Sequence, residues 1–503
     1  MISNSRVRTK TDRWTLGAVA SLLMLAALDQ TIVTTALPAI VSDLGRLDQL
    51  SWIVTAYLLT STVSAPLYGK LGDMIGRKIM MQTAVLIFLL SSLAAAMANT
   101  MTWMLLARAV QGLGGGGLFV LAFTLVGDMV PMRDRGKIQG LFAAVFGFSS
   151  IVGPLAGGFF VDTLSWHWIF LINIPIGVSA LIVLHKQLGV PQKKITMSNL
   201  KLDYCGLLSL SLFLASLIVF STVGENSILD KYFSKTYLII VCILSLILFV
   251  YIELKAINPI IPMSLFKINN FRIYSLIGLI TGGVLFSLLT FLPFQLQIVR
   301  GMTPSESGIQ LIPLTLGIII GAALGGILLS KTGRYKYVPF FAGITLVFGL
   351  ILLSFTDIGL SKLQITTCLI IIGLGLGPQL SVITTAVQNS APPEHMGVAT
   401  AALTTFRQIG SSVGVAALSS YLLKRTNNLV MENRIIHSTI ENQTTIELKN
   451  FLLLSSQDIS ILQNALNGAL ESVIMVTALV AFLIIPLSLM AVEIPLKTSL
   501  EKT

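Results

Sequence analysis

The sequence is short of charge: Asp, Glu, Lys and Arg make up only 11% of its 503 residues, against roughly 25% in soluble domains. Hydrophobic residues make up 54%, and the mean hydropathy is +0.86. This composition excludes a soluble globular chain. Apolar runs occur from residue 14 to residue 492 with no long polar segment between them, so the whole chain is predicted to be a membrane domain. Alternating ten-residue apolar and polar segments, which are typical of outer-membrane barrels, are absent.

Cysteine and histidine are also scarce. The three cysteines, Cys205, Cys242 and Cys368, fall inside apolar runs, so a disulfide framework is not expected. The four histidines show no metal-ligand spacing, and neither a metal site nor an enzymatic cluster is expected. The sequence contains no G-x-x-x-x-G-K-[ST] loop for ATP and no basic cluster interleaved with aromatics for nucleic acid. We therefore expect no cofactor and no nucleic-acid partner.

Apolar runs long enough to cross a bilayer, about 20 residues each, are abundant. They predict an all-α polytopic membrane protein with fourteen transmembrane helices, at 14–40, 51–69, 79–98, 103–127, 137–161, 168–188, 203–224, 235–252, 271–296, 305–329, 337–355, 362–387, 395–422 and 469–492. Lys and Arg are concentrated on the side that carries both ends, which predicts cytoplasmic termini in an inner or plasma membrane. The sequence does not specify an oligomeric state.

An internal repeat becomes visible when the sequence is shifted by 261 residues. Lys70 then meets Lys331 and Gly153 meets Gly414, and spans two to five match spans ten to thirteen. The repeat predicts two parallel six-helix halves with a substrate cavity between them. The predicted parts are an N-terminal half at 1–190, an inserted helix pair at 200–255 and a C-terminal half at 270–495. The C-terminal half contains a long external loop at 425–467.

Three ionisable side chains fall well inside the predicted spans: Asp29, Arg108 and Arg407. A charge at mid-helix costs roughly 2.5–3.5 kcal/mol on insertion scales, so each one is a functional hypothesis. Counting about 1.5 Å per residue from Trp14 and Trp103 places Asp29 and Arg108 at one depth, about 8 Å below the outer edge of the hydrocarbon core.

A carboxyl group beside a guanidinium in a poorly solvated cavity can bind and release a proton as its access to water changes. Asp29 and Arg108 therefore predict a proton-coupling site, with a purely structural ion pair as the alternative. For Arg407 the structural interpretation is favoured, with its guanidinium donating to carbonyls beside the glycine-containing stretch that follows it.

Two glycine-containing stretches allow more than one interpretation. GLGGGG at 112–117 satisfies the dinucleotide pattern G-x-G-x-x-G, but it lies in the middle of a span and follows no strand, so close helix packing is favoured. GKLGDMIGRK at 69–78 is a cytoplasmic turn. It is either a positively charged anchor or a latch in which Asp73 and Arg77 hold one arrangement of the two halves.

The stretches GKLGDMIGRK, LLARAVQGLGGGG and GFSSIVGPLAGG resemble the signature loop, the fourth-span arginine motif and the fifth-span antiporter motif of the major facilitator superfamily. Together with LDQTIVTTALPAI, WHWIFLINIPIG and the inserted helix pair, they make nearly the whole chain similar to the fourteen-span drug:proton antiporter branch. The resemblance implies that Asp29 and Arg108 serve proton coupling. It implies a conformational latch formed by Gly69, Gly72, Asp73, Gly76, Arg77 and Lys78. It also implies a kinked antiporter helix at Gly153, Pro154, Gly157 and Gly158.

Aromatic residues and Arg407 are candidates for the lining of the cavity, where a ring can hold a cationic substrate. They are Arg407, Tyr57, Phe119, Phe123, Phe146 and Phe291, and helix packing is the alternative for each aromatic. The function predicted from the sequence is export of small hydrophobic or cationic drug-like compounds in exchange for protons, with the proton gradient as the energy source. The alternative is export of an endogenous lipid, siderophore or metabolite by the same mechanism.

Overall fold

The computed structural model describes residues 10–44, 50–130, 132–187, 203–222, 235–256, 258–302, 304–355, 362–432 and 456–494. Within these ranges the regular structure is entirely helical. The α-helices are α1 Lys10–Leu44, α2 Leu50–Ile75, α3 Arg77–Ala96, α4 Met101–Met129, α5 Met132–Thr163, α6 Trp168–Leu171, α7 Asn173–Gln187, α8 Tyr204–Thr222, α9 Lys235–Lys255, α10 Asn269–Phe294, α11 Pro304–Gln310, α12 Ile312–Thr332, α13 Tyr337–Ser354, α14 Lys362–Ser390, α15 Met396–Glu432, α16 Ser456–Phe482 and α17 Ile484–Met490.

A helix lies at every predicted span. In the described part of the chain, eleven helical segments are long and apolar enough to cross a membrane, and α8 is a shorter apolar helix. Such segments satisfy their backbone hydrogen bonds internally, as hydrocarbon requires. The prediction of an all-α polytopic membrane protein is thus confirmed, while the count of fourteen crossings stays a prediction. Three predicted spans each consist of two successive helices, namely 168–188, 305–329 and 469–492.

One packing pattern occurs twice along the chain. Helix α4 packs against α2 and α3, and α14 packs against α12 and α13. Likewise α1 packs against α5, and α10 against α15. These pairs are the ones that the 261-residue shift relates. The predicted limits at residues 190 and 200 lie outside the described residues, and the division into two halves and an inserted pair stays a prediction.

Helices α1–α7 form one set and α10–α17 form the other. The two sets of helices meet through α5, which packs along α12, and through α2, which packs against α15. Helix α8 packs against α9 and also contacts both α2 and α15. Buried apolar side chains form one large cluster in α8–α17 and two clusters in α1–α7. Each set of helices therefore has its own apolar core.

The predicted external loop 425–467 is helical at both ends. Helix α15 continues to Glu432 and α16 begins at Ser456, whereas residues 433–455 lie outside the described part of the chain. Helices α15 and α16 extend beyond the apolar runs because they contact each other there. A methyl carbon of Leu429 in α15 lies 3.4 Å from the position that a Cβ on Gly468 of α16 would take. Residues 425–432 and 456–467 of the predicted loop are therefore helical.

Candidate functional site: a buried charge network, an ion-pair cluster and a central cavity

Asp29 on α1 and Arg108 on α4 are in direct contact. Nη1 of Arg108 lies 2.7 Å from Oδ2 of Asp29, and the side chains are 1% and 0% exposed. Their contact agrees with the common depth predicted from the sequence. Two opposite charges buried this completely must compensate each other, since either one alone would be costly in this environment.

Three neutral polar side chains complete the network around this pair. Gln111 donates to Oδ1 of Asp29 at 2.9 Å and to Oγ of Ser92 at 2.7 Å, while its own oxygen accepts from Arg108 at 2.6 Å. Asn173 donates to Ser92 at 3.0 Å and to Oδ1 of Asp29 at 3.3 Å. None of these three residues was predicted from the sequence. The position of Gln111, three residues after Arg108 on the same helix, was the available signal.

Arg108 also contacts two aromatic rings and a backbone carbonyl. Its Nε donates to the Ile53 carbonyl at 3.3 Å, and its guanidinium carbon lies 4.5 Å from the ring centre of Tyr57 and 5.8 Å from that of Phe170. Tyr57 was predicted to line the cavity, but it is buried under Arg108 with its hydroxyl packed against Gly115. The network thus joins α1, α2, α3, α4, α6 and α7, and any change in its charge reaches all of these helices.

The GLGGGG stretch of α4 is a packing surface. Gly112, Gly115 and Gly116 face α2, Gly114 faces α3, and Gly117 lies between the two helices. At Gly114 an added Cβ would lie 2.7 Å from the Ala84 carbonyl oxygen. The backbones approach each other at distances that only glycine permits. The interpretation as helix packing is confirmed, and the stretch has no room for a dinucleotide.

Asp73 and Arg77, at the end of α2 and the start of α3, form an ion pair of 2.9 Å. Arg77 also pairs with Asp128 at the end of α4 at 2.7 Å. The other carboxylate oxygen of Asp73 accepts from the backbone N–H of Val398, 3.1 Å away in the first turn of α15. A carboxylate is favoured there because the N-terminus of a helix carries partial positive charge. Burial raises the pKa of Asp73, and the Arg77 guanidinium opposes the rise.

The glycines of this turn bring the helices together or change the chain direction. A Cβ on Gly69 would lie 2.6 Å from the Ala401 Cβ, so α2 and α15 touch there. Gly72 packs against the Leu121 side chain, and Gly76 has a φ of 117°, a left-handed conformation that favours glycine. Lys78 donates to the His185 carbonyl at 3.1 Å.

A second polar contact joins the two sets of helices nearby. The Gln139 amide on α5 donates to Oε1 of Gln388 on α14 at 3.2 Å, and Thr385 donates to Oε1 of Gln139 at 2.8 Å. All three side chains are buried. With the contact between Asp73 and Val398, they hold the two sets of helices together at the end of the molecule where α2 and α3 meet.

A cavity of about 370 Å³ lies between the two sets of helices. It is bounded by α1, α2, α4 and α5 on one side and by α10, α14 and α15 on the other, with Gln139 among its lining residues. Phe119, Phe123, Phe146 and Arg407, all cavity candidates from the sequence, line it. Phe291 does not, because its ring packs in an apolar cluster with residues of α15 and α16.

Arg407 donates to the carbonyls of Leu380 at 3.1 Å and Gln379 at 3.4 Å. Both carbonyls belong to α14, whereas the sequence analysis placed the acceptors beside the glycine-containing stretch of its own helix. That stretch instead packs on α10, where a Cβ on Gly414 would lie 3.0 Å from the Gly283 Cα. The tight contact between α10 and α15 directs the guanidinium toward α14.

The antiporter stretch lies in α5, which is helical through position 154. Gly153 packs against Thr31 of α1, two residues from Asp29. Gly157 is buried. Gly158 was predicted to allow a close helix contact, but an added Cβ would meet no atom of the described residues within 4 Å.

A buried carboxylate that was not predicted inside a span lies near the end of α9. Helix α9 continues past the predicted end of its span to Lys255 and includes Glu253, which is 3% exposed. Its Oε1 accepts from the backbone N–H of Ile260 at 3.0 Å. The apolar run ends at residue 252, so the sequence placed this carboxylate in a loop.

Comparisons with known proteins agree with this architecture. The family profile of the Major Facilitator Superfamily matches residues 19–415. The multidrug transporter protein MdtP of Bacillus subtilis (strain 168) is 35% identical over 82% of this chain and 76% of its own length. Multidrug resistance protein 3 of the same organism is 33% identical over 80% of this chain and 77% of its own.

Among solved structures, the human organic anion transporter MFSD10 superposes with a TM-score of 0.62 over 93% of this chain and 99% of its own, at 15% identity. At that identity the similarity shows the fold alone. The match over most of the chain, the relatives and the apolar helices lead to one conclusion: this chain belongs to the Major Facilitator Superfamily and is a multi-pass membrane transporter, not an enzyme.

Proposed function

We propose that the protein exports small hydrophobic, drug-like compounds in exchange for protons by alternating access, as a fourteen-span drug:proton antiporter with cytoplasmic termini. Two relatives that are named multidrug transporter and multidrug resistance protein support export of drugs. The cavity supports compounds of moderate size with apolar rings, because five phenylalanines line it.

One observation carries the proposal of proton coupling: the Asp29 carboxylate is fully buried and is held by Arg108, Gln111 and Asn173. Protonation of Asp29 cancels its charge and leaves the Arg108 guanidinium without an anion in a poorly solvated environment. The guanidinium then has only neutral acceptors among the described residues, namely Gln111, the Ile53 carbonyl and the uncharged carboxyl group. The protonated state thereby disfavours this arrangement of the six helices that the network joins.

The contacts around Asp73 and Gln139 supply the element with two arrangements that alternating access needs. Under the proposed orientation they close the cytoplasmic end of the cavity in this structure. Opening that end requires the Asp73 carboxylate to leave the N-terminus of α15 and the Gln139 amide to leave α14.

The test is transport by purified protein in proteoliposomes, with and without an imposed pH gradient. Asp29→Asn is expected to abolish uphill accumulation of a fluorescent drug while keeping downhill exchange of the drug for itself, because exchange needs no net proton movement. Glu253→Gln is the matched control, since it also neutralises a buried carboxylate within a candidate span. It is expected to keep gradient-driven transport.

Gradient-driven transport by a normally folded Asp29→Asn variant would exclude Asp29 as the proton carrier. Loss of coupling in the Glu253→Gln variant alone would transfer the role to Glu253. Drug flux that is indifferent to the proton gradient in the wild type would indicate a passive channel instead.

A further inference from the structure

Among the described residues, only one wall of the central cavity carries an ionisable side chain. Arg407 is the one ionisable side chain among the described residues that line it, and the other lining residues are apolar, aromatic or neutral polar. Asp29 does not reach the cavity, because both of its oxygens are engaged by the network and its side chain is fully buried. A ligand in this cavity therefore meets a positive charge and no negative one.

The guanidinium of Arg407 is incompletely satisfied. Throughout the described ranges no carboxylate forms an ion pair with it, in contrast to Arg108. Its hydrogen bonds to α14 use one terminal nitrogen, and its Nε is buried with no hydrogen-bond partner. The neighbouring Gln408 oxygen also lacks a partner. A guanidinium has five N–H donors, so donors remain for a ligand.

The repeat places an aromatic residue opposite this charge. The 261-residue shift relates Arg407 on α15 to Phe146 on α5, and both line the cavity. The Phe146 ring lies 6.5 Å from that of Phe119, centre to centre. One wall of the cavity is thus aromatic and the corresponding position on the other wall is cationic.

We infer that the cavity selects amphiphilic organic anions, with an apolar ring system against the phenylalanines of α4 and α5 and a carboxylate or sulfonate on Arg407. This inference rests on the proposed export function and names the substrate class of the same site. It departs from the hydrophobic or cationic compounds predicted from the sequence, because a buried unpaired guanidinium attracts an anion and repels a cation most strongly where water is scarce. A charge-assisted hydrogen bond of this kind is worth about ten- to a hundredfold in affinity.

The test uses three ligands that share one ring and one chain length and differ in charge: pyrenebutyrate, its neutral amide and its trimethylammonium analogue. Fluorescence anisotropy of the detergent-purified full chain measures binding without any proton gradient. Wild type is expected to bind the anion about tenfold or more tighter than the amide, and the cation most weakly. Arg407→Gln is expected to remove the preference for the anion and to change amide binding by less than about twofold.

A second variant keeps Arg407 in place and so avoids the loss of its bonds to α14. Ser411→Asp puts a carboxylate one helical turn from Arg407 on the cavity wall. It is expected to weaken the anion and strengthen the cation, and the thermal midpoint shows whether each variant is folded. Wild type that binds the cation or the amide at least as tightly as the anion would overturn the inference, as would undiminished binding of the anion by both variants.

The outcomes for the two proposals are separable. Selective binding of the anion together with transport that ignores the proton gradient would uphold the cavity assignment and refute proton coupling. Gradient-driven export of the cation, with no preference for the anion in binding, would do the reverse.

Discussion

Gly114→Ala adds one methyl group where α4 meets α3. The new Cβ would lie 2.7 Å from the Ala84 carbonyl oxygen and 2.7 Å from the Phe88 nitrogen, closer than real Cβ contacts, and both are backbone atoms that no side-chain rotation can move away. The helices must therefore separate. Such overpacking typically costs about 1–3 kcal/mol. An unfolding entropy of roughly 2.1 cal/mol/K per residue gives about 1 kcal/mol/K for this chain, so the thermal midpoint is expected to fall by about 1–3 °C.

Gly158→Ala is the matched control, because it makes the same substitution inside α5 where no atom lies within 4 Å of the added carbon. Alanine is favoured over glycine in a helix interior by roughly 0.5–1 kcal/mol, so this variant is expected to match or exceed wild type. Tryptophan fluorescence during heating of the detergent-purified proteins measures both midpoints. If Gly114→Ala melts at or above the midpoint of Gly158→Ala, the close packing of α3 and α4 is refuted.

The double variant D29N/R108Q is expected to be more stable than either single variant in the same melting assay, because each single change leaves a buried charge unpaired at about 3–5 kcal/mol. A double variant no better than both singles would contradict this. Gly69→Val is expected to hold α2 and α15 apart. The cavity thiol introduced by Phe123→Cys should then react faster with a thiol reagent added from the side of the α2–α3 turn. Unchanged labelling would argue against closure at this end. With Gly69 intact, labelling relative to that of a free thiol at the same pH should also accelerate as the pH on that side falls, since burial raises the pKa of Asp73 and its protonation removes the ion pair. Asp73→Asn should abolish this pH response, and a persistent response would point to another group.

The sequence predicted those features that local patterns encode. Apolar runs indicated where helices occur, and counting residues from tryptophans at the span ends put Asp29 and Arg108 at one depth. It did not identify Gln111, whose spacing of three residues from Arg108 was the available signal, or Asn173, a neutral amide that nothing nearby in the sequence distinguishes from other polar side chains in a helix. Arg407 and Phe146 were both candidates for the cavity lining, but the sequence did not show that they lie on its opposite walls.

Contacts between distant segments were beyond prediction for a different reason. Asp73 accepts from Val398, 325 residues later in the chain, and nothing near either residue signals that pairing. Tyr57 and Phe291 were assigned to the cavity because aromatic residues suit both cavities and packing. Only the positions of Arg108 over Tyr57, and of α15 and α16 around Phe291, decide between these roles.

The two proposals together have an energetic consequence. Export of a monoanion in exchange for one proton moves two elementary charges in the direction that an inside-negative potential favours. At about 2.3 kcal/mol per charge per 100 mV this supplies about 4.6 kcal/mol per 100 mV, whereas exchange of a monocation for one proton moves no net charge. An anion exporter of this kind needs no second proton carrier to work against a large gradient.

The position of α8 matters for the lipid that surrounds the protein. This helix contacts α2 and α15, which belong to different sets of helices and touch each other at Gly69 and Ala401. When that contact opens, the crevice between α2 and α15 faces sideways into the bilayer, where acyl chains compete for any apolar surface. Helix α8, backed by the largely exposed and apolar α9, lies across the crevice and keeps those chains out. We therefore expect α8 and α9 to act as a lateral seal that lets the cavity communicate with water rather than with lipid.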